Sequence, residues 1–221
     1  MHLPDGYLDP SLCVLMYALA LAGLYWAWRG VGRTFHRSFV SVIAVSSAFV
    51  FAAQMLNFPV PFGTSGHLVG GTFLASLLGP QAAVISMTIV LIVQAVIFAD
   101  GGLTTLGANI FNMAIIGAFS YYIVALIVRG HAKRLALGVF LASWFSVVLG
   151  GLAAGVEIGT SSIFAPYGGL SVTVPSMLFW HLLIGLGEAT ITTVLVAQLL
   201  RSRPTSLFGL NKLVMINERN H

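Results

Sequence analysis

The chain has 221 residues, of which 58% are hydrophobic and only 7% are charged. Soluble domains carry charge on about 25% of their residues, so ten Lys and Arg and six Asp and Glu residues are too few to cover a soluble globule of this size. The net charge of +4 does not indicate a nucleic-acid partner, because the basic residues are grouped between long apolar runs.

These apolar runs are continuous, as in transmembrane helices, whereas the strands of a membrane barrel alternate in polarity over about ten residues. Seven spans are predicted, at residues 11–28, 39–56, 68–78, 81–99, 103–128, 135–154 and 174–200. The third is short for a span, and Gly79 and Pro80 separate it sharply from the fourth. We expect an all-α integral membrane protein, a bundle of about seven transmembrane helices that forms one domain over residues 1–221.

The basic residues predict the orientation, since Lys and Arg collect in cytoplasmic loops. With seven spans, three basic clusters lie on one side, which places the amino terminus outside and the carboxyl terminus in the cytoplasm. Residues 1–10 are then an extracytoplasmic segment, residues 201–221 a cytoplasmic tail, and residues 155–173, with Glu157, the longest outer loop. The clusters are Arg29, Arg33 and Arg37; Arg129, Lys133 and Arg134; and Arg201, Arg203, Lys212 and Arg219.

The amino terminus has the layout of a metal chelator. Met1 is expected to stay in place, because initiator methionine is removed mainly before small residues and His2 is large. The amine, the His2 backbone nitrogen and an imidazole nitrogen of His2 can close two fused rings around one ion. Three nitrogens in a plane favour Ni(II) or Cu(II) and leave one position for a fourth donor.

The fourth donor should lie on the same side of the membrane, and His67 is the obvious candidate. It follows a stretch rich in Pro and Gly, residues 58–66, that cannot form a regular helix. Asp5 is a candidate to hydrogen-bond the ligands. On the alternative interpretation, His2 and His67 are ordinary histidines of a terminus and a loop that share no ligand.

Four stretches of the sequence carry a resemblance to a known family. They are MHLPDGYL at the start, GTSGHL at residues 63–68, FADGGL at residues 98–103 and LGANIFNM at residues 106–113. The chain resembles the CbiM/NikM family, the substrate-specific membrane components of energy-coupling-factor transporters for cobalt and nickel. The opening closely matches the family's Met-His-Ile-Pro-Asp-Gly, with Leu3 in place of Ile, and the similarity spans most of the chain.

The resemblance implies a planar site made of the Met1 amine, both the backbone and a side-chain nitrogen of His2, and His67. It implies no cofactor beyond the transported Ni(II) or Co(II), no enzymatic activity, and a multi-pass protein in the cell membrane of a prokaryote. A coupling membrane subunit and ATPase subunits then supply the work, and a small accessory membrane subunit is a further expected partner. The chain itself has no Gly-x-x-x-x-Gly-Lys-Ser/Thr phosphate loop.

Polar residues within or beside the spans are candidates for function, because burying them is expensive. Ser65, Gln94 and Asn109 are candidates to orient the ligands or the terminal segment, and hydrogen bonding between helices is the alternative. His181 and Glu188 share a face of the seventh span, about 10 Å apart. That separation is too large for one metal ion, so we expect structural hydrogen bonds there.

Small residues recur every four positions in the second span, at Ala44, Ala48 and Ala52. Such a stripe permits close contact between helices. In relatives of this family a similar stripe meets the coupling subunit, which makes the three alanines a candidate partner interface. Internal packing is the alternative.

Two other functions fit the sequence less well. A stand-alone secondary transporter or channel for divalent cations would need several charged residues along a pathway at mid-membrane, and only Glu188 lies deep in a predicted span. An intramembrane metal-dependent hydrolase is disfavoured because the sequence lacks His-Glu-x-x-His. A planar site filled by four protein nitrogens also leaves no easy position for an activated water.

Overall fold

The protein is described by a computed structural model that covers residues 1–31, 37–211 and 213. Its helices are α1 (Pro10–Val31), α2 (Arg37–Gln54), α3 (Gly71–Leu78), α4 (Pro80–Ile97), α5 (Leu106–Val128), α6 (Leu135–Thr160) and α7 (Leu170–Ser202). A short antiparallel hairpin, β1 (Phe58–Pro59) and β2 (Ser65–Gly66), lies between α2 and α3. Parts of the predicted basic clusters lie outside the described residues, namely Arg33, Lys212, Arg219 and the side chain of Arg37.

Five of the described helices, α1 and α4 to α7, are long and apolar enough to cross a membrane. The shorter α2 is also apolar, whereas α3 covers eight residues, about 12 Å, well short of an apolar thickness of about 30 Å. Large apolar side chains are exposed along these helices, as expected of surfaces that face lipid. The all-α membrane bundle is confirmed, and the count of seven spans stays a prediction.

Helices α6 and α7 pack closely because glycine recurs every four residues on the shared face of α6. Cβ atoms added at Gly151, Gly155 or Gly159 would lie between 2.4 and 3.1 Å from atoms of α7. The prediction of an outer loop at residues 155–173 is therefore wrong in its first part, since α6 continues to Thr160. Glu157 is a buried helix residue rather than a loop acid. The glycines that suggested a loop serve helix packing instead.

Polar contacts connect four segments at one end of the bundle: residues 1–9, residues 57–66 with the hairpin, residues 98–105 and residues 161–169. The pairs are Asp5 with Thr104, Asp9 with Ser162, and Asn57 with Asp100. The candidate functional residues of the terminus and the hairpin therefore lie at the same end.

Helix α5 contains a π-helical turn at Ile110–Ile115, close to this end. Such turns are rare in proteins, and those that occur often lie at functional sites. Asn109 lies directly before the turn and Asn112 lies within it, and both side chains are buried. Asn109 contacts the terminal segment, while Asn112 donates a hydrogen bond of 2.8 Å to Glu157 of α6.

Candidate metal centre

The first three residues are buried in the bundle, although they form the end of the chain. Met1 and Leu3 have no exposed surface, and His2 is 3% exposed. The Leu3 N–H donates to Oδ1 of Asn109 at 2.8 Å, and the Leu3 carbonyl accepts from Nδ2 of Asn109 at 3.1 Å and from the N–H of Gly102 at 2.8 Å. These bonds on both sides of Leu3 fix where Met1 and His2 lie.

The β1–β2 hairpin packs against the terminal segment and hydrogen-bonds to Met1 and His2. The Thr64 hydroxyl donates to the His2 carbonyl, and the Ser65 carbonyl accepts from the Met1 amine. Oγ of Ser65 lies 3.0 Å from the amine and accepts from the His2 N–H at 3.1 Å. His67 follows β2 directly, so the same hairpin that holds the terminus delivers the second imidazole.

The Met1 amine lies 2.9 Å from Nε2 of His67. Metal–imidazole bonds are about 2.0–2.1 Å long, so two donors on adjacent corners of a square plane lie about 2.9 Å apart. The observed separation matches that edge. The amine, the His2 backbone nitrogen and Nδ1 of His2 are joined by the chain in the order that closes a five-membered and a six-membered chelate ring.

The hydrogen bonds of the two imidazoles leave the required nitrogens free. Nε2 of His2 lies 3.2 Å from Oε1 of Gln94, and this acceptor favours the tautomer in which Nε2 carries the proton and Nδ1 keeps its lone pair. That Nδ1 is buried and has no hydrogen-bond partner. Nδ1 of His67 lies 2.9 Å from the Leu68 carbonyl, which leaves the lone pair of His67 on Nε2. The two rings stack, with centroids 4.5 Å apart.

Burial keeps all three titratable donors neutral. It lowers the pKa of the Met1 amine from 8.0 to about 4, with the negative charge of Asp100 opposing the shift. Burial, reinforced by the nearby amine, lowers the pKa of His2 from 6.5 to about 3. The same two causes hold the pKa of His67 well below 6.5. At neutral pH the amine and the two imidazoles are therefore uncharged and each has a lone pair to offer, while the His2 amide still carries its proton.

The carboxylate of Asp100 lies beside the candidate ligand His2. Oδ1 of Asp100 lies 3.4 Å from Nδ1 of His2, and Nδ2 of Asn57 donates to the other carboxylate oxygen at 3.3 Å. Partial burial raises the pKa of Asp100, while the amine and the Asn57 hydrogen bond oppose the shift. A divalent ion bound to one deprotonated amide would leave one positive charge here, which this carboxylate can balance.

Side chains alone do not make a metal site in this part of the molecule. Across residues 1–31, 37–211 and 213, no three His, Cys, Asp or Glu side chains come together as ligands. A metal site of the predicted kind would need the two backbone nitrogens of the terminus in addition to His2 and His67. The predicted chelate therefore depends on His2 being next to the terminal amine, and not on a cluster of side chains.

The structure brings Met1, His2, Ser65, His67 and the predicted polar neighbours Gln94 and Asn109 into one cluster. Asp5 lies apart from the ligands: its carboxylate accepts from the Thr104 N–H and hydroxyl, and these bonds lower its pKa. The alanines of the α2 stripe, Ala44, Ala48 and Ala52, are exposed rather than packed inside. Thr64 and Thr105, whose hydroxyls donate to the carbonyls of His2 and Leu3, were not predicted as residues of this cluster, although Thr64 lies inside a motif stretch.

Among the described residues, three further buried side chains can carry a charge, His181, Glu157 and Glu188. Nδ1 of His181 lies 2.7 Å from the Met177 carbonyl one turn earlier in α7, and its Nε2 has no partner among the described atoms. Glu157 accepts from Asn112 of α5, and Glu188 accepts from the backbone of residues 69 and 70. The expectation of structural hydrogen bonds is met by Glu188 and, on one nitrogen, by His181.

The family CbiM, described as "Cobalt uptake substrate-specific transmembrane region", matches residues 2–206. The chain belongs to the CbiM family. The predicted resemblance is thereby confirmed over nearly the whole sequence.

Relatives of this CbiM-family chain include curated proteins and solved structures. A putative fused nickel transport protein NikMN of Archaeoglobus fulgidus is 44% identical over 205 residues, covering 92% of this chain and 67% of its own length. A putative metal transport protein of Methanocaldococcus jannaschii is 36% identical over 211 residues, covering 92% of this chain and 93% of its own. A crystal structure of a truncated transition-metal transporter superposes with a TM-score of 0.83 at 37% identity, covering 91% of this chain and 99% of that one.

The fused relatives are longer than this chain. It spans 67% of the Archaeoglobus protein and 64% of the fused nickel transport protein NikMN of Rhodobacter capsulatus, to which it is 39% identical. A second crystal structure of a transition-metal transporter aligns with all of this chain and 98% of its own, with a TM-score of 0.83 at 33% identity. The bundle is therefore a fold that solved metal transporters share.

Proposed function

We propose that this CbiM-family protein is the ion-capturing membrane component of an importer for Ni(II) or Co(II). One observation carries the proposal: the Met1 amine, the His2 backbone nitrogen, a buried His2 Nδ1 without a partner and Nε2 of His67 meet in one cluster. The relatives named above as nickel or metal transport proteins support the transported class.

In this proposal the four nitrogens bind the ion in a plane. The amine and the two imidazoles are neutral, and the His2 amide loses its proton on binding. Gln94 fixes the His2 tautomer, Asn109 anchors Leu3, and Ser65 aligns the amine and the amide. A planar nitrogen set favours Ni(II) among the two candidate ions.

The ion enters from outside the cell, since the site lies at the end of the bundle opposite the basic residues. In the described residues these are Arg29 in the last turn of α1, Arg129, Lys133 and Arg134 between α5 and α6, and Arg201 and Arg203 at the end of α7. By the preference of Lys and Arg for cytoplasmic loops, that end faces the cytoplasm. The membrane is the cell membrane of a prokaryote, because the relatives come from archaea and bacteria.

Energy comes from partner subunits, as the resemblance to energy-coupling-factor transporters implies. A coupling membrane subunit and ATPase subunits would drive transport, and a small accessory membrane subunit belongs to the same assembly. Ala44, Ala48 and Ala52 are the proposed contact with the coupling subunit, because their exposure on α2 argues against a role in internal packing.

The arrangement does not favour a stand-alone channel or an enzyme. The two buried carboxylates of the described spans are Glu157, which accepts one hydrogen bond from Asn112, and Glu188, which accepts two from backbone N–H groups. Two such acids do not form the series of charged residues that a cation pathway at mid-membrane needs. Four protein nitrogens around one ion leave no open position of the kind that catalytic metal sites keep for water.

The test is nickel binding by calorimetry on the purified protein with a native amino terminus and a tag at the carboxyl end. Adding one residue before Met1 keeps every side chain but moves the amine and breaks the chelate rings. We expect binding to collapse in the extended protein and to weaken strongly in His67→Ala. His131→Ala, an exposed histidine at the opposite end, is the matched control and should bind as wild type. Equal binding by the native and extended proteins would overturn the proposed ligand set.

A further inference from the structure

Glu188 of α7 contacts the backbone that follows His67. It is 2% exposed, and its carboxylate accepts two hydrogen bonds, from the Val69 N–H at 2.6 Å and from the Gly70 N–H at 2.9 Å. These N–H groups lie just before α3, where Gly70 has no side-chain cap. A carboxylate from one membrane-spanning helix therefore binds an irregular segment that lies two residues beyond a candidate metal ligand.

The same segment is held from the opposite side by α2. Nε2 of Gln54, a fully buried side chain, donates to the Val69 carbonyl at 2.6 Å. Val69 thus has its N–H bound to α7 and its carbonyl bound to α2. A Cβ at Gly70 would lie 2.7 Å from a methyl of Val50, so α2 also confines the next residue sterically.

The imidazole of His67 depends on this backbone for its position. Nδ1 of the ring lies 2.9 Å from the carbonyl of the next residue, Leu68. The ring is therefore hydrogen-bonded to the Leu68–Val69 peptide, whose N–H Glu188 binds. A shift of that peptide would move Nε2 of His67 relative to the Met1 amine.

We propose that Glu188, together with Gln54, is a positioning residue for metal binding: it holds residues 67–70 so that Nε2 of His67 completes the planar donor set. The inference rests on the proposed function, because it acts through His67 as a ligand. It predicts that α7 determines ligand geometry without contacting the ion.

A merely structural role for Glu188 is the competing account. A carboxylate beside the first turn of α3 also stabilises that helix through its dipole and its free N–H groups. The two accounts differ in what they predict for the bound ion. Capping affects stability alone, whereas positioning affects nickel affinity and the symmetry of the ligand field.

Glu188→Gln keeps the length of the side chain and removes one of its two acceptor atoms. We expect nickel to bind at least tenfold more weakly and the visible absorption bands of the nickel complex to change, because an out-of-plane donor alters the ligand field. Thr173→Val is the matched control: it removes a buried hydrogen bond of 2.7 Å from α7 to the Gly155 carbonyl of α6, a bond that involves neither His67 nor Val69. It should lower the melting temperature and leave the nickel spectrum unchanged.

A double-mutant cycle with His67→Ala tests whether Glu188 acts through that ligand. Cu(II) is the probe, because it binds nitrogen sites more tightly than Ni(II) and remains measurable with three donors. Glu188→Gln should weaken Cu(II) binding when His67 is present and should have no further effect in the His67→Ala background. If Glu188→Gln lowers only the melting temperature, with affinity and spectrum as in wild type, the positioning role is wrong.

Two further outcomes are separable. If His67→Ala alone binds nickel like wild type, the proposed ligand set fails, whatever Glu188→Gln does. If Glu188→Gln does not fold, Gln54→Leu removes the bond on the other side of Val69 and should give the same loss of affinity and spectral change. A folded Gln54→Leu protein with the nickel affinity and spectrum of wild type would contradict the proposal that Glu188 and Gln54 position His67.

Discussion

The terminal nitrogen of Met1 lies 2.9 Å from Nε2 of His67, although 66 positions separate the two residues in the chain. Both groups are buried, and burial disfavours the charged form of each. The pKa of the Met1 amine is accordingly lowered to about 4, and that of His67 lies well below 6.5. The number of protons released when a metal binds should therefore show whether these nitrogens are already deprotonated in the metal-free protein.

At pH 7 we expect about one proton to be released for each nickel ion bound. The Met1 amine, with a pKa of about 4, and His2, with a pKa of about 3, are already deprotonated and release none. The His2 amide supplies the single proton. Affinity should therefore rise about tenfold per pH unit between pH 5 and 8 and fall more steeply below about pH 4, where the lowered groups take up protons.

Calorimetry in buffers of different ionisation enthalpy measures this number. If the terminus were exposed before nickel arrived, the amine would keep its ordinary pKa of 8.0 and would be mostly protonated at pH 7. The measured value would then approach two protons. A value near two would show that the terminal segment docks only with the ion.

Gln94→Leu should weaken nickel binding by about 10- to 100-fold, the usual effect of removing a partner that orients a metal-binding histidine. Oε1 of Gln94 lies 3.2 Å from Nε2 of His2 and selects the tautomer that leaves Nδ1 free. Gln94→Glu keeps an acceptor at that position and should retain more affinity than Leu. The measurement is the nickel Kd by competition with a coloured chelator.

Gln81→Leu is the matched control, since Gln81 lies on the same helix, α4, at the far end from the site. It should bind nickel with the wild-type Kd. Equal Kd values for Gln94→Leu and wild type would mean that the tautomer of His2 is set by something other than Gln94.

Asp100→Asn should reduce nickel affinity about tenfold while preserving the fold. Oδ1 of Asp100 lies 3.4 Å from Nδ1 of His2, close enough for its charge to offset the positive charge left at the site. Asp9→Asn removes a carboxylate at the same end that binds Ser162 instead, and it should leave the Kd unchanged. Equal losses in the two variants would indicate a general surface potential rather than a local charge balance.

The sequence was sufficient to predict the helical membrane bundle and a chelating group at the terminus, whereas His67 was one candidate for the fourth donor that the family resemblance then implied. A long apolar run predicts a buried helix whatever its neighbours are, and a terminal amine followed by His2 is a chelator by its covalent structure alone. Both predictions depend on local chemistry. The hairpin that presents His67 was likewise predictable as a non-helical segment, because Pro59, Pro61 and Gly63 interrupt any helix.

The partners of buried polar groups could not be predicted in the same way. Glu188 was assigned a structural hydrogen bond, but its partners, Val69 and Gly70, lie 118 or more positions away and are backbone groups that sequence does not distinguish. Glu157 was placed in a loop because glycine permits both turns and close helix packing. Only the contact of Gly155 with α7 decides between these two uses.

Gly71→Ala should destabilise the bundle by about 1–3 kcal/mol, the usual cost of overpacking a core. A Cβ at Gly71, the first residue of α3, would lie 2.5 Å from the Cα of Gly117 on α5, and backbone cannot move aside as a flexible side chain can. Gly187→Ala on α7 is the control, because no atom lies within 4 Å of the added Cβ and alanine favours helix over glycine. Thermal unfolding in detergent should show a lower melting temperature for Gly71→Ala and an equal or higher one for Gly187→Ala. An unchanged melting temperature in Gly71→Ala would mean that α3 and α5 are not in the close contact described.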